Sequence, residues 1–175
     1  MKIRDLTAAD LIGVRQIYRE AFAGFPWFET VTDAEIDSRF NSVMSGLVAV
    51  QDNSVVGATW WEVITIEKLR QERGEELVRF ANTFREEHLK YVWVRETIVL
   101  PSHQGQGIGL MLKQDSIKRL HEVYKPVMIL TRMRDDNLPI IRIAERCGFA
   151  RTGIKVPDSQ VLVNHEYWYY KEVSR

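Results

Sequence analysis

The sequence has a single cysteine and carries no surplus of charge of either sign. With Cys147 alone, the chain can form neither an internal disulfide nor a cysteine-rich zinc site, which is typical of a reducing compartment. Its 24 basic and 24 acidic residues cancel, whereas a nucleic-acid-binding protein usually has a basic surplus. We therefore expect neither a metal site nor a nucleic-acid partner.

Long apolar runs are missing as well. None approaches the roughly 20 residues that span a bilayer, and residues 1–5 lead directly into structured pattern rather than into the apolar core of a secretory leader. We expect a cytoplasmic protein with no membrane partner. The sequence also has no repeat, low-complexity tract or Pro/Gly/Ser-rich linker, and 175 residues suit one core. We predict a single domain over residues 1–175.

The hydrophobic pattern predicts alternating strands and helices. The predicted order is a strand, two helices, two strands, a helix, a strand, a helix, a strand, a helix and two final strands. Capping boxes begin the first two helices, and a two-residue hairpin turn joins the second and third strands. The residues that carry these signals are Thr7 with Asp10, Thr32 with Glu35, and Asp52 with Asn53.

A charged amphipathic segment forms a helical insertion at about residues 67–89, with a kink at Gly74. Its first interpretation is a solvated helix packed on the sheet. The alternative is a lid or the contact surface of a homodimer. With this insertion, the pattern is that of a mixed α/β domain.

A glycine-rich turn follows the strand at residues 91–100. Gly105, Gly107 and Gly109 stand at alternate positions and open a helix. Glycine lets the backbone turn tightly and approach a ligand, and the first N–H groups of a helix lack partners within it and lie at the positive end of its dipole. The segment therefore favours a diphosphate site. A tight turn without a ligand is the alternative.

Two other phosphate-binding motifs do not fit this turn. The Walker motif requires Gly-Lys-Ser/Thr, but Gly109 is followed by Leu110 and Met111. The dinucleotide fingerprint requires glycines spaced Gly-x-Gly-x-x-Gly, and residues 105–109 have a different spacing. Both motifs are excluded.

Residues 104–109 resemble the Gln/Arg-x-x-Gly-x-Gly/Ala signature of the GNAT superfamily of acetyl-CoA-dependent N-acetyltransferases. Residues 99–101 resemble the strand end before that signature, and Asn137 with Gly148 and Phe149 resembles a later motif. The resemblance implies a GNAT-like α/β (α+β) fold with a mixed, mostly antiparallel sheet of six to seven strands flanked by helices. It also implies transfer of acetyl from acetyl-CoA to a primary amine of a small molecule or peptide by direct attack.

The resemblance further implies how acetyl-CoA is held. Strand backbone groups would pair with the pantetheine arm, N–H groups of the turn would hold the pyrophosphate, and Asn137 would bind the pantetheine or thioester region, cap its helix, or do both. The N–H of Thr97 would serve as oxyanion donor. The implied cofactor-binding residues are Thr97, Ile98, Val99, Gln104, Gly105, Gln106, Gly107, Ile108, Gly109 and Asn137.

The general base and general acid stay open in the sequence. Glu96 is the first candidate for the base because it lies on the strand that leads to the turn, although a salt bridge with Arg95 is the alternative. His165, Glu62 and a water chain are further candidates for the base. Many family members carry a tyrosine seven residues after the asparagine as general acid, and here that position is Ala144.

The acceptor amine and the oligomeric state are not identified by any motif. Aromatic residues at 24–28 lie where the family builds part of its acceptor site, and they either contact an apolar substrate or complete the core. Cys147 is not expected to carry an acyl group, because it lies at a helix end where a packed thiol is expected. The alternative function, which Ala144 favours, is a non-catalytic acyl-CoA-binding sensor or regulatory module.

Overall fold

The computed structural model describes residues 1–23, 32–39, 44–84, 90–125, 127–155 and 166–173. Within these residues the strands are β1 (Lys2–Asp5), β2 (Met44–Gln51), β3 (Ser54–Ile64), β4 (Lys90–Val99), β5 (Val127–Arg134), β6 (Ala150–Lys155) and β7 (Glu166–Val173). The helices are α1 (Leu11–Ala23), α2 (Asp33–Arg39), α3 (Ile66–Arg73), α4 (Glu75–Ala81), α5 (Ile108–Tyr124) and α6 (Leu138–Arg146).

The seven strands form one sheet in the order β1-β2-β3-β4-β5-β7-β6. The β1–β2, β2–β3, β5–β7 and β6–β7 ladders are antiparallel. β4 and β5 are parallel, with Lys90–Trp93 opposite Val127–Leu130. The mixed, mostly antiparallel sheet predicted from the sequence is confirmed. No helix in the described ranges is long and apolar enough to cross a membrane.

Two local signals, the capping box of α2 and the hairpin turn between β2 and β3, are confirmed. The N–H of Thr32 donates to Glu35 Oε2 at 2.7 Å, and the N–H of Glu35 donates to Thr32 Oγ1 at 3.3 Å, which completes a capping box. Asp52 and Asn53 both have positive φ, 50° and 64°. That conformation is the one a two-residue hairpin turn requires.

Contacts divide the chain into two compact units, and the prediction of a single domain stays a prediction. The first unit contains Met1–Glu62 and Arg95–Ser116. In its core, α1 and α2 pack on strand residues, and the rings of Tyr18 and Phe22 stack at 4.4 Å. Each such fully buried apolar side chain stabilises the fold by roughly 1.5–3 kcal/mol. The core residues are Val14, Ile17, Tyr18, Phe22, Ile36, Val48, Ala58, Trp60 and Ile98.

An ion pair at the start of the first unit lowers the pKa of its carboxyl group. Arg4 contacts both oxygens of Asp10 at 2.7 Å, and the N–H and hydroxyl of Thr7 donate to the same carboxylate at 2.8 Å. These donors favour the charged form, so the pKa of Asp10 falls to about 2 although burial opposes the shift. Asp10 thereby fixes the turn that leads into α1.

The second unit contains Val63–Val94 and Ile117–Arg175. The predicted insertion forms two helices, α3 and α4, rather than one kinked helix, because Gly74 between them has a φ of 84°. Phe80 on α4 contacts Tyr170 on β7 with ring centroids 4.9 Å apart, so α4 packs on the sheet, and the choice between a solvated helix and a lid or homodimer contact stays a prediction. Residues 85–89 of the insertion lie outside the described residues.

Candidate active site

The strand, glycine turn and helix that the sequence predicts are present, and the end of the strand, the turn and the start of the helix belong to the first unit. β4 ends at Val99, a 3₁₀ turn spans Pro101–His103, and α5 begins at Ile108. Gly105 and Gly107 have φ of 76° and 81°, which only glycine adopts without strain. A Cβ at either position would meet no atom within 4 Å. The glycines are therefore required by the backbone conformation, and the space beside them is open.

The start of α5 is not compensated by its own side chains. The first turn contains no acidic residue, and the N–H of Met111 makes the first helical bond, to the oxygen of Gly107 at 3.1 Å. The preceding N–H groups of the helix have no partner within it and lie at its positive end. This arrangement suits an anion.

Gly57 on β3 lets α5 lie close to the strands. A Cβ at this position would lie 3.0 Å from Leu112 Cδ1 and 3.2 Å from both Ile108 Cγ2 and the oxygen of Ile98. A Cβ here would force these neighbours to shift by a few tenths of an ångström, so glycine favours the close approach. Gly57 thus allows the first turns of α5 to lie close to β3 and to the end of β4, a role that the sequence analysis missed.

Gln104 stabilises the turn through two hydrogen bonds. Its N–H donates to the oxygen of Pro101 at 3.2 Å, and its side-chain amide donates to the oxygen of Val99 at 3.1 Å. The first bond closes the 3₁₀ turn, and the second links the turn to the end of β4. Direct contact between Gln104 and a cofactor stays a prediction.

Backbone groups of β4, and of Leu100 directly after it, form hydrogen bonds with β3. Leu100 donates its N–H to the oxygen of Val56 at 2.9 Å, and the hydroxyl of Thr59 donates to the oxygen of Glu96 at 2.8 Å. Residue numbers rise on β3 as they fall on β4, so the two strands run antiparallel. Because the trans peptide is planar, the N–H of Thr97 points in the opposite direction to the oxygen of Glu96, away from β3.

Two side-chain contacts join β3 and β4 on either side of Glu96. The hydroxyls of Thr59 and Thr97 lie 3.0 Å apart, and Arg95 forms an ion pair with Glu62. Residues 95 and 97 of β4 thus both contact β3 through their side chains.

The candidate bases differ in their surroundings. Glu96 is half-buried on β4. Glu62 is 3% exposed, and its carboxylate is committed to Arg95, the residue that the alternative interpretation assigned to Glu96. His165 and the aromatic segment 24–28 lie outside the described residues. No group of three His, Cys, Asp or Glu side chains in the described ranges is placed to hold a metal ion.

Asn137 lies in the second unit, at the N-cap position of α6. Its side chain makes no capping hydrogen bond, so the structure does not show the predicted cap, and its cofactor contact stays a prediction. Arg134 is 4% exposed and forms a bidentate ion pair with Asp136 at 2.7 and 2.9 Å, which orders the turn before Asn137. Ala144 is fully buried on the same helix.

One protein-family model matches most of this chain. The model of the Acetyltransferase (GNAT) family matches residues 11–149. A search of curated protein sequences found no significant match.

Three solved structures illustrate the likeness in fold. The ribosomal-protein-alanine N-acetyltransferase from Brucella melitensis has 18% identity and a TM-score of 0.69, covering 99% of this chain and 100% of its own. The corresponding Escherichia coli enzyme has 17% identity and a TM-score of 0.71, covering 99% and 94%. A phosphinothricin acetyltransferase from Sinorhizobium meliloti in complex with acetyl-CoA has 19% identity and a TM-score of 0.68, covering 99% and 88%. The family match extends over most of the sequence and includes β4, the glycine turn and α5, so the chain belongs to the GNAT family of acetyltransferases.

Proposed function

We propose that the protein transfers the acetyl group of acetyl-CoA to a primary amine of a small molecule or peptide by direct attack of the amine on the thioester. The observation that carries this proposal is the uncompensated start of α5, which directly follows β4 in a chain of the GNAT family. Its N–H groups, with those of the turn at residues 105–109, suit the pyrophosphate of the cofactor. Backbone groups of residues 97–99 that face away from β3 suit strand-like pairing with the pantetheine arm.

The chemistry follows from the orientation of β4. The amine nitrogen forms a bond to the thioester carbon, and the negative charge that develops on the carbonyl oxygen is stabilised by the N–H of Thr97. Glu96 takes the proton that the amine loses. The C–S bond then breaks and coenzyme A leaves as a thiolate.

A thiolate with an ordinary pKa near 8.5 can leave without full protonation. The chemistry therefore does not require a tyrosine at the position of Ala144. Since Ala144 is fully buried, we assign it a packing role on α6.

The identity of the acceptor is open between two classes. The Brucella melitensis protein is named for an alanine of a ribosomal protein, and the Sinorhizobium meliloti protein is named for phosphinothricin. Both kinds of amine agree with the proposal, and neither is favoured by a described residue of this chain. Its cytoplasmic location and the homodimer stay predictions.

The test combines binding with turnover. We expect calorimetry to detect acetyl-CoA binding and a thiol-release assay to detect turnover with at least one member of a panel of amino acids, polyamines, small amines and peptides with free N-termini. Binding without thiol release across the whole panel would favour the acyl-CoA sensor. No binding of acetyl-CoA would contradict the proposal.

A further inference from the structure

Thr59 is a fully buried polar residue on β3 that takes no part in the proposed chemistry. Its hydroxyl donates to the oxygen of Glu96 at 2.8 Å and lies 3.0 Å from the hydroxyl of Thr97. One side chain therefore contacts both residues of a single peptide unit, the unit formed by the C=O of Glu96 and the N–H of Thr97. This is the unit that would supply the oxyanion donor.

Side-chain contacts to β3 lie on both sides of this peptide unit. Thr97 lies beside Thr59, and Arg95 forms an ion pair with Glu62. Because a hydrogen bond is directional, a hydroxyl that donates to the oxygen of Glu96 constrains the orientation of the peptide plane.

We propose that Thr59 is a positioning residue for the oxyanion donor, an inference that rests on the proposed function. The O–H of Thr59 holds the oxygen of Glu96 toward β3, which aims the N–H of Thr97 in the opposite direction. The same bond polarises the peptide unit and strengthens its N–H as a donor, because hydrogen bonds in a chain reinforce one another. Thr59 thus acts on the thioester carbonyl through a peptide unit and never touches it.

The test compares variants of Thr59 with a matched threonine elsewhere. Thr59→Val removes the hydroxyl and keeps the shape, and Thr59→Ser keeps the hydroxyl. Thr152 in the second unit also donates its hydroxyl to a backbone oxygen of another strand, that of Trp168 at 3.0 Å, so Thr152→Val controls for the general loss of such a bond. If Thr59→Val does not fold, Thr59→Cys offers the same comparison with only a weak donor.

The primary measurement needs no acceptor amine. Isotope-edited infrared spectroscopy of acetyl-CoA labelled with ¹³C at the thioester carbonyl reports the hydrogen bond to that oxygen. We expect the carbonyl band to lie lower when acetyl-CoA is bound to the wild type than when it is free. In Thr59→Val the band should return at least half of the way to the free value, while Thr59→Ser and Thr152→Val keep the wild-type band. Affinity for acetyl-CoA should change less than twofold.

A rate measurement adds a second readout once an acceptor is known. Removing an oxyanion donor costs roughly 10²–10³-fold in kcat, and misaiming one should cost less. We expect about a tenfold loss of kcat in Thr59→Val, with KM for acetyl-CoA unchanged and Thr59→Ser near wild type.

The outcomes separate this inference from the proposed function. If the wild type binds acetyl-CoA but Thr59→Val has the wild-type band, the positioning role is overturned and the proposed function stands. If the bound band equals the free one in the wild type, both the positioning role and the assignment of Thr97 as oxyanion donor are overturned, and acetyl transfer stands on the thiol-release assay alone. If the wild type does not bind acetyl-CoA, the proposed function fails and the positioning role fails with it.

Discussion

The N-terminus of α5 differs from those of α2 and α3. At α2, the side chains of Thr32 and Glu35 bond to the backbone N–H groups of each other, and at α3 the hydroxyl of Thr65 accepts from the N–H of Lys68 at 3.2 Å. At α5 the preceding residue is Gly107, which has no side chain to offer, and the first turn has no acidic residue. Helices α2 and α3 thus satisfy their own N-termini, whereas the N–H groups that begin α5 remain available to an external anion.

Helix α4 shows that glycine alone does not make such a start. It begins after Gly74, whose φ of 84° is close to the 81° of Gly107, but Glu75 and Glu76 in its first turn place negative charge at its positive end. The feature that marks α5 is therefore the combination of glycine with no compensating acid. The predictions below test whether this difference has functional meaning.

The largest expected effect separates chemistry from binding at the site beside α5. Glu96→Gln should lower turnover by roughly 10²–10⁴-fold, because the carboxylate takes the proton of the amine, while acetyl-CoA affinity and melting temperature stay near wild type. The loss should shrink at high pH, where more of the acceptor is already neutral. The measurement is a pH–rate profile of both proteins. Equal profiles would transfer the role to Glu62, His165 or a water chain.

The next effect tests a turn that the chain stabilises by itself. Asp10→Asn should lower the free energy of unfolding by about 2 kcal/mol at neutral pH, since the Asp10 pKa of about 2 lies well below its ordinary value. Because the folded-state pKa is lowered, this stabilisation is present above pH 4 and is lost as the pH falls toward 2. Chemical denaturation at several pH values measures it. Affinity for acetyl-CoA should not change, and a change would show that the two kinds of helix start are not independent.

The third prediction compares two glycines with similar positive φ, 81° at Gly107 and 84° at Gly74. Gly107→Val should weaken acetyl-CoA binding at least tenfold, which corresponds to about 1.4 kcal/mol. Gly74→Val also places a side chain at a positive φ, and a Cβ at either position would meet no protein atom within 4 Å. Both variants should therefore lose similar stability, and only Gly107→Val should lose affinity in calorimetry. Equal affinities for acetyl-CoA in the two folded variants would contradict the assignment of the pyrophosphate site to the start of α5.

The smallest effect concerns α6, whose first turn also has no acidic residue. Asn137→Ala should weaken acetyl-CoA binding by roughly 2- to 10-fold, the value of one hydrogen bond, with little change in melting temperature, because its side chain makes no capping bond. Thr65→Ala is the matched control: it should lower stability by roughly 0.5–2 kcal/mol and leave affinity unchanged. The reverse pattern would assign Asn137 a capping role alone.

Much of the fold could be predicted because its signals are local. The capping box of Thr32 and Glu35, the hairpin turn at Asp52 and Asn53 and the glycines before α5 each depend on residues a few positions apart. At Gly74 the local pattern was only partly right. The sequence predicted a kink within one helix, and the structure has two separate helices.

The surroundings of the candidate site could not be predicted, because they join residues that are far apart in the sequence. Thr59 and Glu96 are 37 positions apart, and Glu62 and Arg95 are 33 apart. No local pattern announces either contact, since each depends on the register of β3 against β4. At Asn137 a local signal was present but misleading. Its position before a helix predicted a cap, and its side chain makes no capping hydrogen bond.

The central claim, that the start of α5 holds the cofactor pyrophosphate, is tested most directly by its amide protons. Two-dimensional NMR of ¹⁵N-labelled protein during titration with coenzyme A resolves the amide signals of glycines. We predict that Gly105, Gly107 and Gly109 shift strongly and become protected from hydrogen exchange at saturation, while Gly74 at the start of α4 does not move. Saturable binding of coenzyme A that leaves the amide signals of these three glycines unchanged would contradict the assignment of the pyrophosphate site.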